Sequence, residues 1–140
     1  MGGEGTIAKT TDGGFTWERQ EFLSNVSYNN VYFKDENEGW LVGWFYGLFA
    51  KTEDGGDTWE VTYDFWGHVE DSHFMSENEG VVIASNVMMQ WSLLYKTYNG
   101  GEDWTLIDTL NGYKIKSMSF INENEGYMIG NSYTDVSQVI

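Results

Sequence analysis

The chain has 140 residues, of which 41% are hydrophobic and 17% aromatic, which is enough apolar material for one packed domain. The formal net charge is −15 and Arg19 is the only arginine, so binding to nucleic acid or to an anionic lipid surface through clustered cations is excluded. Cysteine is absent, which excludes disulfides, thiolate zinc sites and cysteine nucleophiles. No apolar run approaches the length of a membrane span and no signal-peptide pattern is present, so we expect no membrane insertion.

Stretches rich in β-branched and aromatic residues alternate with clusters of Gly, Asn and Asp, which predicts short β-strands and no helix. In chain order, residues 1–21 supply two strands, residues 28–63 and 68–108 supply four each, and residues 113–140 supply two and the start of a third. The four strands of a complete unit, A to D, are predicted at 29–33, 39–43, 47–52 and 58–63, and again at 69–74, 80–85, 92–97 and 103–108. The first pair then corresponds to strands C and D, and the last pair to strands A and B, with a C-like stretch at 133–140.

Two sequence motifs repeat in step with these units. Lys-Thr-x-(Asp/Asn)-Gly-Gly-x-x-Trp forms the turn between strands C and D at 9–17, 51–59 and 96–104. Phe-x-x-Glu-Asn-Glu-Gly forms the turn between strands A and B at 33–39, 74–80 and 120–126. The period of 41 to 46 residues is typical of a four-stranded propeller blade. The sequence therefore predicts an all-β propeller segment of about three blades, two complete and one split between the termini.

Three blades do not readily close a ring, because propellers usually contain about four to eight. An open arc would leave unpaired strand edges and apolar blade faces, both of which are prone to association. Two alternatives follow. Either the chain is a segment of a longer propeller, or copies associate so that the first strand pair of one completes a blade begun by the last strand pair of another. Two copies would then form a six-bladed ring, so the expected partner is a second copy or the remainder of a longer propeller.

The turn between strands C and D resembles the Asp-box, or bacterial neuraminidase repeat, whose pattern is Ser/Thr-x-Asp-x-Gly-x-Thr-Trp. Residues 10–17 and 52–59 match this pattern, and residues 97–104 are a degenerate copy with Asn99 in place of Asp. With Glu-Gly-Trp-Leu-Val-Gly at 38–43, the chain looks most like propellers of the photosystem II assembly/stability factor type. More distant resemblances are to sortilin ectodomains, sialidases and Asp-box xyloglucan hydrolases.

The resemblance implies a structural role for the box residues. A short Asp or Asn side chain accepts hydrogen bonds from turn amides, paired glycines supply positive φ, and the tryptophan covers the hairpin. The residues expected to act in this way are Thr10, Asp12, Gly14, Thr16, Trp17, Thr52, Asp54, Gly56, Thr58, Trp59, Thr97, Asn99, Gly101 and Trp104.

The Glu-Asn-Glu-Gly turns have the same architectural interpretation. A calcium site at Asp35, Asn37 and Glu38 is an alternative, because these are hard oxygen donors. Ser76 and Asn122 replace Asp35 in the sister turns, however, so we expect neither a metal nor a cofactor.

The loops at the opposite end join strand D to A and strand B to C, and here the units stop resembling one another. Large aromatic residues on variable loops of a rigid scaffold are typical of a surface that binds sugar rings or peptide side chains. The candidate ligand-binding residues are Trp44, Phe45, Tyr46, Phe65, Trp66, His68, Trp91 and Tyr133, with Met88 and Met89 beside Trp91. Packing between blades, filling of the central channel or an oligomer contact are the alternatives.

We expect a non-enzymatic scaffold that binds a protein or a carbohydrate, with no catalytic residues, in a secreted, periplasmic or cell-surface setting. Sialidase activity is excluded, because Arg19 alone cannot supply the arginine triad that such enzymes use. Two alternatives stay open. One is a fragment of a glycoside hydrolase-like, carbohydrate-active enzyme, with carboxyl groups drawn from Asp64, Glu70, Asp71 and Asp108. The other is a self-assembling module without a small ligand.

Overall fold

A computed structural model of the chain describes residues 5–22, 26–43, 47–63, 65–86 and 88–133. These residues form twelve β-strands and no helix. Among them, accordingly, no helix has the length and apolar character needed to cross a bilayer. The strands are β1 (Ile7–Lys9), β2 (Glu18–Gln20), β3 (Tyr28–Phe33), β4 (Gly39–Gly43), β5 (Leu48–Thr52), β6 (Glu60–Tyr63), β7 (His68–Phe74), β8 (Gly80–Asn86), β9 (Trp91–Thr97), β10 (Thr105–Asn111), β11 (Tyr113–Asn122) and β12 (Glu125–Ser132).

The strands form four antiparallel sheets in which sequence neighbours pair. Two sheets have four strands, in the orders β3-β4-β5-β6 and β7-β8-β9-β10, and two have only a pair, β1-β2 and β11-β12. The first strands of successive sheets, β3, β7 and β11, pack against one another, as the inner strands of propeller blades do. The prediction of an all-β propeller segment is confirmed. The C-like stretch predicted at 133–140 lies, after Tyr133, outside the described residues.

Strand D begins later than the sequence predicts. Strand β6 starts at Glu60 rather than at 58, and β10 starts at Thr105 rather than at 103. The backbone amides of Thr58 and Asp103 are bound to side chains within the preceding turn, so these two residues belong to the turn and not to the ladder.

The main apolar core lies between the two four-stranded sheets. Trp40 on β4 is 2% exposed and stacks on Phe74 with ring centroids 4.2 Å apart. The flanking Val42, and Val82 on β8, are fully buried in the same cluster. Strand β8 packs against the β3–β6 sheet on one face and against the β11-β12 hairpin on the other, which explains why it is buried along its length rather than on alternate residues.

The inner strands are joined by the carboxylate of Asp71. Its Oδ1 accepts a hydrogen bond from Nδ2 of Asn30 on β3, at 2.8 Å. Its Oδ2 accepts bonds from the hydroxyl of Ser117 and the amide of Met118 on β11, both at 2.9 Å. Asn30, Asp71 and Ser117 each follow the bulge in their strand, so they occupy the same register position in three sheets. A charged acceptor shared by three strands fixes the relative position of the sheets.

The turns between strands C and D have a common hydrogen-bond pattern. In the turn at 51–59, Oδ1 of Asp54 accepts the amide of Thr58 at 2.8 Å, and Oδ2 of Asp54 accepts the Thr58 hydroxyl at 2.6 Å. The Thr52 hydroxyl accepts the amide of Gly56 at 2.9 Å. Gly55 and Gly56 have φ of 71° and 90°, in the left-handed region that favours glycine. The paired glycines are therefore needed for the backbone to reach these acceptors.

These hydrogen bonds also act on the carboxyl groups. Bonds from the Thr58 hydroxyl, the Thr58 amide and the Thr52 hydroxyl lower the pKa of Asp54 to about 2. The equivalent bonds from Thr16 and Thr10 lower the pKa of Asp12 to about 2 as well. Both side chains remain ionised far below neutral pH because the ionised form is the one that accepts these bonds.

The third C–D turn keeps the geometry with a neutral side chain. Oδ1 of Asn99 accepts the amide of Asp103 and its Nδ2 donates to Oδ2 of Asp103, both at 3.0 Å. The Thr97 hydroxyl accepts the amide of Gly101 at 2.9 Å. Since Asn can both accept and donate, it serves the same turn once Asp103 replaces the threonine.

The turns between strands A and B are capped by one short acceptor. Oδ1 of Asp35 accepts the amides of Asn37 and Glu38 at 2.8 Å, and these bonds lower the pKa of Asp35. Ser76 and Asn122 accept turn amides in the same way in the other two turns. Any short side chain with an acceptor oxygen can fill this position, which explains the variation seen in the sequence.

The glycine that ends each A–B motif lies under a phenylalanine ring. Gly39 pairs across the strands with Phe33, and a Cβ atom added to Gly39 would lie 2.7 Å from that ring. Gly80 and Gly126 pair in the same way with Phe74 and Phe120. The first and last residues of the motif Phe-x-x-Glu-Asn-Glu-Gly therefore form a cross-strand contact, in addition to the turn between them.

A candidate binding surface on the variable loops

Backbone segments of the two four-stranded sheets meet at the end opposite the repeated turns. The segment 65–67 between β6 and β7 lies against Gly47 on one side and against Ser85 on the other. A Cβ atom added to Gly47 would overlap the carbonyl of Phe65, and one added to Gly67 would overlap the carbonyl of Ser85. Backbone contacts this close hold the loops of adjacent sheets in one surface.

The most exposed side chains of this surface are apolar. Trp66 is 80% exposed, Met88 is 94% exposed and Met89 is 62% exposed. We call these three residues the Trp66 surface. The amide of Trp66 donates to the Tyr95 hydroxyl at 3.4 Å, and the amide of Met89 donates to Oδ1 of Asn86 at 3.1 Å. Both loops are thus held by hydrogen bonds while their large side chains face solvent.

A second group of backbone bonds extends the surface toward the last hairpin. The amide of Gly112 donates to the carbonyl of Gln90, and the amide of Tyr133 donates to the carbonyl of Gly112, both at 2.8 Å. Gln90 has φ of 56°, and it is the one non-glycine residue with positive φ within the described ranges. This left-handed residue ends the turn that displays Met88 and Met89.

The structure separates the predicted ligand-binding residues into distinct environments. Phe65 is 3% exposed and packs against Phe49, Tyr95 and Trp104, so it anchors its loop from below and does not face solvent. Trp66 and His68 follow it, the first exposed and the second half-buried at the start of β7. Trp44, Phe45 and Tyr46 lie outside the described residues.

Trp91 and Tyr133 are half-buried rather than exposed. Trp91 packs against the main core cluster. Its Nε1 and the Tyr133 hydroxyl are both buried without a hydrogen-bond partner in the described part of the chain. These two residues flank the Trp66 surface, and the sequence pattern alone did not separate them from the exposed Met88 and Met89.

The carboxyl groups considered for glycoside hydrolysis have structural partners. The Glu70 side chain is 11% exposed. Its carboxylate accepts a hydrogen bond from the Ser85 hydroxyl and forms an ion pair with Nζ of Lys114 at 3.0 Å. Both oxygens of Asp71 bind the adjacent inner strands, as described above. Asp108 lies exposed on β10 and accepts the amide of Thr109 at 2.7 Å. Asp64 lies outside the described residues. Glu70 and Asp71 are therefore engaged in holding strands together.

A separate apolar cleft lies between the β1-β2 pair and the β3–β6 sheet. Its volume is about 550 Å³. The apolar residues that line it are Ile7, Ala8, Trp17, Val31, Phe33, Leu41 and Trp59. We call it the split-blade cleft, because it occupies the place where strands A and B of the first blade would lie. The sequence signal for it was the missing half of that blade.

Comparisons with known proteins support the propeller assignment. No protein-family model matches the chain, and no curated protein matches it. Among solved structures, "YCF48 bound to D1 peptide" matches with a TM-score of 0.63 and 25% sequence identity over 79% of this chain. "YCF48 from Cyanidioschyzon merolae" matches with a TM-score of 0.73 and 13% identity over 94% of this chain. The chain spans 36% and 43% of the lengths of these two proteins. Both are photosystem II assembly factor propellers, the type that the repeats resemble.

Proposed function

We propose that this chain is a non-enzymatic protein-binding scaffold that holds an extended peptide on the Trp66 surface. The observation that carries the proposal is that a propeller with 25% identity over 79% of this chain holds a D1 peptide. The C–D turns, which we propose to be Asp-boxes, serve in this view as rigid connections at the other end of the blades.

The chemistry of the Trp66 surface fits an apolar side chain of a peptide. Tryptophan offers a large rigid face at low entropic cost, and exposed methionines adapt to irregular partners. Trp66, Met88 and Met89 are exposed, yet their loops are held by the Tyr95 hydroxyl and by Asn86. A surface fixed before binding loses less conformational entropy on binding.

The charge of the chain indicates which peptides bind. At a net charge of −15, the chain attracts segments that carry Lys or Arg next to the apolar anchor and repels acidic ones. The rate of association should consequently fall as salt is added.

The test is the affinity for a fluorescently labelled D1 peptide, measured by anisotropy on the wild type and on Trp66→Ala and Met88→Ala. We expect each substitution to weaken binding at least about tenfold, which corresponds to about 1.4 kcal/mol. Phe15→Ala is the matched control, because Phe15 is 91% exposed in a C–D turn at the opposite end.

Unchanged affinity of Trp66→Ala, with circular dichroism showing an intact fold, would contradict the assignment of the surface. Absence of binding to any peptide together with binding of an oligosaccharide to the same residues would replace the peptide by a carbohydrate. Equal weakening by Phe15→Ala would mean that the effect is not specific to this end of the blades.

A further inference from the structure

One wall of the split-blade cleft exposes residues that are buried at equivalent positions elsewhere. Phe33 and Val31 on β3 are 42% and 52% exposed. The residues at the same register positions on β7 are Phe74 and Ser72, and they are 5% and 7% exposed. The difference arises because β7 is covered by β4 of the preceding sheet, whereas no strand beside β1 in the described part of the chain covers β3.

The β11-β12 hairpin shows the complementary difference. Tyr127 and Ile129 on β12 are 66% and 67% exposed. The residues at the same positions on β4 are Trp40 and Val42, and on β8 they are Val81 and Ile83, all at most 3% exposed. Within the described residues, the split-blade cleft is therefore not covered by apolar strands, and the β11-β12 hairpin has an apolar face without a neighbouring sheet.

The environment of Trp40 between the complete blades indicates which kind of side chain fits the split-blade cleft. Trp40 stacks on Phe74. A Cβ atom added to Gly101 would lie 2.9 Å from Nε1 of Trp40. Trp104 of the same turn packs edge-on against Phe74. In the cleft the equivalent lining is present, because Phe33, Gly56 and Trp59 occupy the positions of Phe74, Gly101 and Trp104. None of the described residues takes the position that corresponds to Trp40 in this cleft.

We propose that the β11-β12 hairpin of a second copy fills the split-blade cleft and pairs with β1. The register follows from the complete blades, where Gly39 lies opposite Thr52 and Gly80 opposite Thr97. By this rule Gly126 of the second copy lies opposite Thr10, Tyr127 opposite Lys9, Met128 opposite Ala8 and Ile129 opposite Ile7. Tyr127 then takes the position between Phe33 and Trp59 that Trp40 takes between Phe74 and Trp104.

Charged side chains at the edges of the two halves complement each other. In the complete blades the lysine of strand C pairs with the glutamate before strand B, with Nζ to carboxylate distances of 3.8 Å for Lys51 and Glu38 and 2.9 Å for Lys96 and Glu79. The same positions in the two halves are Lys9 and Glu125. The proposed register brings this lysine and this glutamate together, which favours a second copy as the occupant.

The turns provide a further match. The amides of Gly55 and Gly100 donate to the carbonyls of Asn37 and Asn78 in the A–B turns, at 2.8 and 2.9 Å. Gly13 occupies the same place in the first C–D turn, and apart from its two chain neighbours no described residue has an atom within 4 Å of a Cβ added to it. The second copy would supply the carbonyl of Asn124 to this amide.

In a two-fold arrangement, the hairpin of each copy fills the split-blade cleft of the other. Each copy contributes one cleft and one hairpin, so two complete blades per copy and two composite blades give six blades, within the usual range for a closed ring. The arrangement does not depend on peptide binding, and the two proposals can fail separately.

The absence of cysteine makes this register directly testable by disulfide mapping. Two single variants, Ala8→Cys and Met128→Cys, are mixed and oxidised. We expect a cross-linked dimer in the mixture but not in either variant alone. Arg19→Cys mixed with Met128→Cys is the control: Arg19 pairs with Ala8 on the outer strand, which places it two strand spacings, about 10 Å, from Met128 and out of disulfide reach.

Light scattering provides the second measurement. We expect the wild type to have twice the chain mass of 16.0 kDa, and Tyr127→Asp to shift it to the single-chain mass with an unchanged circular dichroism spectrum. Tyr127 is 66% exposed, so this change leaves the fold of one copy intact. A single-chain mass at all concentrations without cross-linking would overturn the proposal and make a further segment of a longer chain the occupant. Equal cross-linking through Arg19→Cys, or a series of larger species, would also overturn the two-copy ring.

Discussion

The two interfaces next to the β3–β6 sheet are built from the same motifs but differ in completeness. On one side, Trp104 packs against Phe49 and Phe74 from the two complete sheets and against Phe65 from the segment that joins them. On the other side, Trp59 contacts Phe22 and Phe33 along an open cleft. Trp17, which has no preceding sheet beside it among the described residues, is 62% exposed. A repeated turn thus determines where a tryptophan is presented, and the adjacent blade determines whether it is buried.

The same contrast is present among the inner strands. Asp71 lies between two neighbours and binds Asn30 on one side and Ser117 with Met118 on the other. Asn30 occupies the equivalent position in β3, next to the open cleft, and its side chain donates only toward β7 among the hydrogen bonds of the described residues. Among the described residues, strand β7 is therefore joined by side-chain hydrogen bonds to an inner strand on each side, and strand β3 to an inner strand on one side only.

The largest effect should come from removing a side chain at the complete interface. Trp40→Ala should lower the free energy of unfolding by about 3–5 kcal/mol at any protein concentration, because a buried aromatic leaves a cavity when truncated. Tyr127→Ala, at the equivalent position on β12, should have little effect in dilute solution and a growing effect at concentrations where copies associate. Urea unfolding at several protein concentrations measures both, and equal costs in dilute solution would contradict the comparison.

A smaller loss of unfolding free energy is expected from substitutions in the inner strands. Asp71→Asn replaces an acceptor oxygen by an NH2 group that faces donors from β3 or β11, and it should cost about 1.5–3 kcal/mol. Asn30→Ala removes donors on one side only and should cost less, about 1 kcal/mol. Chemical denaturation of the two variants tests the order, and a larger loss for Asn30→Ala would show that the central carboxylate is not the main connection.

The smallest expected effect is on stability in acid. Two C–D turns contain an ionised aspartate, and the third contains a neutral asparagine. Asp12 and Asp54 have a folded-state pKa of about 2, below their ordinary value of 3.8, so they stabilise the fold above the ordinary value. This contribution is lost as the pH falls from about 4 through 2. The double variant Asp12→Asn/Asp54→Asn should keep the turns, as Asn99 does, and show a flatter decrease of melting temperature over that window. Thermal melts between pH 5 and pH 2 provide the measurement, and an identical acid profile would contradict the assigned pKa shifts.

Several features of the candidate surface could be anticipated from the sequence, and others could not. The loops that carry Trp66, Met88 and Met89 were predicted because they depart from the repeat. That Phe65 points inward while Trp66 points outward was not predictable, since both are aromatic neighbours in one irregular segment with no alternation to separate them. The roles of Glu70 and Asp71 in holding strands depend on Lys114 and Ser117, which lie more than 40 residues away in the chain.

The sequence by itself determined the repeat: the strand order, the two turn types and the residues that build them. This was possible because turn chemistry is local: the threonine and aspartate side chains accept amides within four residues, including an amide of the paired glycines. Only the tertiary structure decided which surfaces are buried, since burial depends on what the next blade covers. For that reason equivalent residues such as Trp40 and Tyr127 have opposite environments. Within the described residues, an apolar cleft is open beside β1, and the β11-β12 hairpin is uncovered on one face.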